Sequence, residues 1–226
     1  MTERIENETI NAQLQALYRR HEEEFLDLWE EARKETDPRP RPLGLNAFGI
    51  IDPQRYDGEN GVLFVGRELN GWKDEDLRQG CVFLTWMRDI ARSGVFPKGA
   101  TPNMWYHIGR WAMLLNEPET ELSVIASRKA SALHQIGTIA FTNVNKVWGN
   151  SRADKAFYKL AEQKAVLSVL REEIGIIAPK TIVCCGTDWL VKKAAPDYTG
   201  RVIVMPHPGA RKSTMGMLTQ LKTQLI

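Results

Sequence analysis

Val62-Leu63-Phe64-Val65-Gly66-Arg67-Glu68-Leu69-Asn70 is an apolar run that meets a glycine and then delivers a carboxylate. Valine and phenylalanine suit a buried, pleated surface, and glycine frees the backbone to turn. The run therefore predicts a strand over residues 62–65 with Glu68 on the loop beyond it. A segment of the same form lies far downstream, Val202-Ile203-Val204-Met205-Pro206-His207-Pro208-Gly209-Ala210-Arg211-Lys212, and its loop carries a histidine. Residues 136–141 and 181–185 are two further apolar runs rich in β-branched side chains. Helical stretches separate the last three runs, notably residues 153–177, and strands alternating with helices favour parallel pairing. The fold class expected is α/β, as a three-layer α/β/α domain around a central four-stranded, mostly parallel sheet.

Outside that frame, Leu14, Leu17, Tyr18, Phe25, Leu28 and Trp29 recur at helical spacing. They predict an N-terminal helix over residues 9–36, with Glu22-Glu23-Glu24 on its solvated face. Three prolines within residues 38–42 then read as a connector, because proline neither continues a helix nor joins a central strand. A helical insertion is expected at about residues 89–116, carrying Trp105, Tyr106, His107 and Trp111. With 226 residues and 43% hydrophobic content, the chain suffices for one substantial core, read as a single domain over residues 1–226.

A net charge of +2 does not by itself mark a nucleic-acid binder, so any basic surface must come from local clustering. Three cysteines, Cys81, Cys184 and Cys185, cannot form a fully paired disulfide framework, which points to a reducing interior. Residues 1–11 lack the pattern of a secretory signal, and no apolar run approaches the ~20 residues that span a bilayer. The expected location is cytoplasmic, with no membrane contact.

In an open parallel sheet, ligands bind where loops leave the carboxyl ends of strands. Those loops here are residues 66–72, 142–150, 186–189 and 206–213, and an acid and a histidine carried on separate ones can converge on one ligand. The loops resemble those of the uracil-DNA glycosylase superfamily. Gly66-Arg67-Glu68-Leu69-Asn70 stands where that family has G-x-D-P-Y, G-E-A-P-G or G-x-N-P-G, and lacks the proline. His207-Pro208-Gly209 matches the late H-P-S motif with glycine for serine. Thr142-Asn143-Val144-Asn145-Lys146 is similar to the T-N-V-V-K segment of the iron-sulfur branch, and Gly80-Cys81-Val82-Phe83 resembles its G-x-P-F element. Ile174, Ile177, Pro179, Lys180, Ile182, Val183 and Gly186 reproduce a further phrase of that branch, I-x-x-I-x-P-K-x-I-V-x-x-G. Each motif is weak alone; their shared order over residues 62–213 carries the resemblance. Three cysteines cannot supply the four thiolates of that branch's cluster, so no metal or other cofactor is expected.

The resemblance implies a monofunctional DNA glycosylase. No lysine nucleophile stands in the motifs, so water is the acceptor and an abasic site the product. Breaking the glycosidic bond gives a cationic sugar and an anionic base. Glu68 would steady the sugar cation and orient water, while His207, as a neutral imidazole, would donate to the departing base. The nucleotide must leave the duplex stack. Phe83 would then stack on the base, and Asn143 would read its edge, with Asn145 as a competing reader. Lys146, Arg152, Arg211, Lys212 and Ser213 would form a polar, mostly basic rim on DNA. Backbone amides at Gly209 and Ala210 would approach phosphates.

In uracil-specific members a tyrosine stands where this chain has Asn70. The smaller side chain, together with the aromatic insertion, permits a bulky 5-substituted cytosine of phage DNA, as in the superfamily's anti-phage branch. Uracil excision in repair and a noncatalytic nucleotide or DNA binder remain the alternatives. The chain is expected to act as a monomer on DNA, with no protein partner implied. Each residue also has a plainer reading: Glu68 as a helix cap, Asn143 as a turn residue, Phe83, Trp105 and Trp111 as core, and His107 and His134 as structural hydrogen bonders.

Overall fold

The computed structural model describes residues 2–34, 44–70, 82–97, 103–149 and 155–226. The strands in chain order are β1 (Gly49–Ile50), β2 (Val62–Gly66), β3 (Leu69–Asn70), β4 (Ala140–Asn143), β5 (Trp148–Gly149), β6 (Thr181–Cys185) and β7 (Arg201–Met205). The fold is α/β. Five strands form one mostly parallel sheet in the order β1-β4-β2-β6-β7, and β3 pairs with β5 in a separate two-stranded ladder.

The four expected strands are the parallel ones, and their registers are level. Gly66 faces Asn143, Val65 faces Cys184 and Cys185 faces Met205. The sheet has a fifth strand that the sequence reading omitted: β1 runs antiparallel to β4. Two residues show no periodicity by which to recognise a strand. The outer edge of β1 is covered from the N-terminal helix, where the Asn11 side chain donates to the Ile50 carbonyl at 2.8 Å and accepts from its N–H at 2.8 Å. A carboxamide thus stands in for a neighbouring strand and blunts the open edge.

The helices are α1 (Thr2–Arg33), α2 (Val82–Ser93), α3 (Asn103–Asn116), α4 (Leu122–Ser127), α5 (Lys129–Gln135), α6 (Lys155–Ala161), α7 (Lys164–Ile177), α8 (Asp188–Ala194) and α9 (Thr214–Lys222). Helix α1 is longer at its start than expected and ends at Arg33. The stretch predicted as one helix over residues 153–177 is two, α6 and α7, with Gln163 extended between them. Residues 136–138 form a short 3-10 turn, so the strand expected from Ile136 begins at Ala140. The helical insertion starts earlier than expected, at Val82, and its first helix stops before Gly94, whose φ of +68° lies in the left-handed region that glycine tolerates.

Helices α1, α6, α7 and α8 pack with one another, as do α2, α3, α4, α5 and α9. Adjacent residues of β4 show how the sheet meets each group, since successive strand side chains point to opposite faces. The Phe141 ring lies among Phe83 of α2, Trp105 of α3 and Phe48. Thr142, next in sequence, donates its hydroxyl to Glu173 of α7 at 2.9 Å. Phe64 of β2 stacks on Trp111 of α3 with centroids 6.5 Å apart. The buried apolar cluster runs from Leu14 in α1 to Leu221 in α9. No helix among the described residues is long and apolar enough to cross a membrane.

Candidate active site

Because β4, β2, β6 and β7 are parallel neighbours, their carboxyl ends share one edge of the sheet. That edge presents Gly66-Arg67-Glu68, Asn143-Val144-Asn145, Gly186-Thr187 and His207. The turns are tied to each other by backbone bonds. Val144 N–H donates to Gly66 O at 3.0 Å, Asn145 N–H to Arg67 O at 2.8 Å, and Gly186 N–H to Met205 O at 2.8 Å. The Thr187 hydroxyl adds a bond to Val65 O at 2.7 Å. Glu68 and His207 therefore leave the same edge with only β6 between their strands. Two strand spacings place those backbones about 10 Å apart.

Glu68 turns its carboxylate toward the β4 side. Its Oε2 accepts from Asn145 Nδ2 at 3.1 Å and lies 3.6 Å from Arg33 Nη2. The Glu68 side chain is 4% exposed and that of Arg33 2%, so this is a desolvated carboxylate–guanidinium pair. Arg33 comes from the last turn of α1, and no sequence signal connects it to Glu68, because the proline-rich connector separates them. Glu68 does not cap a helix; the chain continues into β3.

The two asparagines divide their tasks. Asn145 is fully buried, and while its amide holds Glu68 its Oδ1 accepts from Val147 N–H at 3.2 Å. Asn143 is also buried, yet its Nδ2 has no hydrogen-bond partner among the described residues. An unmet buried donor is costly, and a ligand acceptor would relieve it. Gly66 is what admits the Asn143 side chain: a Cβ at Gly66 would stand 2.2 Å from Asn143 Oδ1. Of the two candidate readers of a base, Asn143 is the one whose amide nitrogen makes no hydrogen bond among the described residues.

His207 is held by its own loop. Its Nδ1 accepts from Gly209 N–H at 3.1 Å, and an acceptor nitrogen carries no proton, so the neutral ring is protonated at Nε2. Burial, reinforced by the nearby Arg67 guanidinium, pushes its pKa down to about 4. At neutral pH it is an uncharged N–H donor. The same loop corrects an expectation. Gly209 N–H is spent on His207 Nδ1, and Ala210 N–H on His207 O at 2.8 Å, so neither amide is free for a phosphate. Ser213 caps α9, accepting from Gly216 N–H at 3.1 Å. Arg211 and Lys212 are exposed beside this loop, where a basic rim was expected.

Lys146 is not part of that rim. Its side chain is 1% exposed, and Nζ lies 2.6 Å from Glu173 Oε1 and 2.7 Å from Thr142 Oγ1, with Asn143 O at 2.5 Å. Tyr18 also donates its hydroxyl to Glu173. Burial lowers the Lys146 pKa, and the Glu173 carboxylate opposes that shift. The motif lysine is an internal brace under the Asn143 strand end, which residue type alone could not distinguish from a surface cation.

Phe83 is likewise inaccessible, packed edge-on against Phe48 at 5.3 Å and near Trp105 and Phe141, so in this conformation no base can reach its face. Trp105 and Trp111 are also buried core residues. His134 makes its structural bond through Nδ1 to Ala91 O at 2.8 Å. The Asn70 side chain, Gly80, Cys81 and Arg152 lie outside the described residues.

The residue that sequence reasoning overlooked is Arg67. Its neighbour Glu68 faces β4, whereas its own Nε and Nη2 lie 3.8 Å from the Cβ position of Gly186, on the β6 and β7 side. The Nε is buried with no hydrogen-bond partner. The only available signal was its place inside the first motif. Among the described residues, no three His, Cys, Asp or Glu side chains gather as metal ligands. Cys184 and Cys185 are buried free thiols, and burial pushes Cys184 up to about 12. Compared with models of protein families, with curated proteins and with solved structures, the chain finds no match.

Proposed function

We propose that this chain is a monofunctional DNA glycosylase of the uracil-DNA glycosylase type. In this reading it hydrolyses the N-glycosidic bond of a flipped-out modified pyrimidine to leave an abasic site. The observation that carries the reading is the bond from Gly209 N–H to His207 Nδ1, which turns Nε2 of the neutral ring into a donor with no partner among the described residues, on the same strand edge as a carboxylate. Heterolysis of a glycosidic bond asks for that pair, an anion beside the sugar and a fixed donor beside the base. The unmet Asn143 amide supports the assignment as a second donor that an opening of the strand edge would bring to a base, since it is covered in this conformation. The two helix groups, packed against opposite faces of β4, support a three-layer arrangement of the glycosylase kind.

On this reading Glu68, held by Arg33 and Asn145 and 4% exposed, must be uncovered as substrate enters to face the sugar and orient the attacking water. His207 donates to a carbonyl oxygen of the leaving base, and Arg211 and Lys212 meet the DNA backbone. The protein would work as a cytoplasmic monomer without a resident cofactor. A bulky 5-substituted cytosine, as in modified phage DNA, is the proposed substrate, with uracil as the alternative.

The test is direct. Duplexes carrying uracil, 5-hydroxymethylcytosine or its glucosylated form are incubated with the protein and then treated with alkali to cut abasic strands. Cleavage of a cytosine-type duplex supports the proposal; release from uracil alone returns the chain to ordinary repair. Binding of DNA with no cleavage of any of the three makes it a noncatalytic member of the fold.

A further inference from the structure

Glu68 and Arg67 are consecutive, and their side chains diverge. The carboxylate points toward β4 and α1, where Asn145 and Arg33 hold it. The guanidinium points over Gly186 toward His207, and no carboxylate pairs with it among the described residues. Its Nε is buried with no hydrogen-bond partner among the described residues, so that part of the cation is neither hydrated nor bonded there. One strand end thus sets an Arg33-paired carboxylate on one flank of the edge and, on the other, a guanidinium with no carboxylate partner among the described residues, with the imidazole beside the guanidinium.

The guanidinium flank suits the leaving-group side of glycosidic heterolysis. As the C1′–N1 bond breaks, its electron pair leaves with the base, C1′ becomes cationic, and negative charge spreads from N1 to the adjacent carbonyl oxygen. Water then adds its oxygen to C1′ and releases a proton, and the base anion takes up a proton to leave neutral. A neutral imidazole can stabilise a modest leaving anion by donating one hydrogen bond. A cytosine anion is harder to form than a uracil anion, because an amino group at carbon 4 accepts charge less well than a carbonyl. A fixed cation beside the imidazole lessens that handicap.

We infer that Arg67 is a catalytic residue that contacts the departing base and stabilises its developing negative charge, most consequentially for the poorer cytosine-type leaving group proposed above. This rests on the glycosylase reading above and goes beyond it, since that reading gives the leaving base only His207. Gly186 marks the place of the guanidinium: its φ of +73° is one that glycine readily adopts, and Arg67 Nε and Nη2 lie 3.8 Å from its Cβ position, in ordinary contact.

The experiment is a leaving-group series under single-turnover conditions. Wild type, Arg67→Met and Arg67→Lys are compared on duplexes carrying uracil, 5-hydroxymethyluracil, 5-hydroxymethylcytosine and glucosylated 5-hydroxymethylcytosine. The Kd for each duplex is measured in parallel. Arg67→Met should slow release of the cytosine bases about 100-fold or more, the usual effect of deleting a donor to a transition-state anion. It should slow the uracil bases much less and leave Kd nearly unchanged, while Arg67→Lys, which keeps a cation, should restore part of the loss. A readout free of turnover accompanies it: without the guanidinium, the His207 midpoint should rise from about 4 toward the ordinary imidazole value.

Equal slowing of every base together with weaker binding and a shallower salt dependence would make Arg67 a phosphate contact and overturn the inference. Unchanged rates in Arg67→Met would overturn it as well. If wild type releases none of the four bases, the glycosylase reading itself fails. That outcome is distinct from an active enzyme indifferent to Arg67.

Discussion

Replacing Lys146 by methionine tests whether the motif lysine is a buried brace or a DNA contact. The ammonium is 1% exposed and its partner Glu173 0% exposed. It bonds Thr142 Oγ1 and Asn143 O in addition to the carboxylate. Methionine matches the volume of the stem but leaves the Glu173 carboxylate desolvated, with only the hydroxyls of Tyr18 and Thr142 for donors. Breaking a buried pair from one side costs about 3–5 kcal/mol, because the surviving charge has lost its counter-ion. For a chain of 226 residues, 1 kcal/mol corresponds to roughly 2–4 °C in Tm, so Lys146→Met should melt roughly 6–20 °C below wild type.

The control is the double variant Lys146→Met with Glu173→Met. Removing both charges abolishes the unpaired anion, and the double should regain much of the stability that either single loses. Thermal melts followed by circular dichroism read both effects at pH 7. A surface lysine would behave otherwise, changing stability by no more than about 0.5 kcal/mol and reducing the salt slope of DNA binding by about one. A Tm within 2 °C of wild type, or a double variant that loses as much as the two singles added together, would refute the buried-pair reasoning.

The His207 ring should show the Nε2–H tautomer in long-range 15N spectra from pH 5 to 8 and titrate near 4; a midpoint at its ordinary 6.5 would contradict its burial beside Arg67. The linkage has a definite sign: with the folded pKa below the unfolded one, the unfolded chain binds the extra proton. The contribution to stability is therefore full above pH 6.5 and declines as pH falls toward 4. Glu68→Gln should slow base release by about 100- to 1,000-fold while Kd for DNA holds, and unchanged single-turnover rates would remove Glu68 from the mechanism. Gly66→Ala should displace Asn143, whose Oδ1 would lie 2.2 Å from the new Cβ, and should weaken base recognition more than thermal stability. Gly186→Ala meets only ordinary contacts at 3.6–3.8 Å but forces alanine to a φ of +73°; urea unfolding should show a loss of about 1–2 kcal/mol.

The sequence by itself determined the α/β class, the four parallel strands and the loops that leave their carboxyl ends. These follow from local composition: runs of Val, Ile, Leu, Phe and Cys bury on both faces in β2, β4 and β6 and on one face in the edge strand β7, and glycine or proline punctuates the exits. It also singled out Glu68, Asn143 and His207 as chemistry-bearing residues, since each stands directly beyond a strand or at its end. Strand β1, two residues long, gave no period to detect.

Where those side chains point, and what they meet, only the tertiary structure decided. Lys146 and Lys212 are the same residue type on two such loops, yet one is buried against Glu173 and the other is exposed. Asn143 and Asn145 differ by two positions, yet one amide is spent on Glu68 and the other is unmet. The Gly209 and Ala210 amides look open in sequence and are consumed by His207 in space. Arg33 reaches Glu68 from a helix that ends before a proline-rich connector, and Arg67 turns away from the acid beside it. Burial and partnership are properties of pairs brought together across the fold, and a residue's identity fixes only which bonds it can make. Which of them it does make depends on the atoms that packing sets within about 3 Å of it.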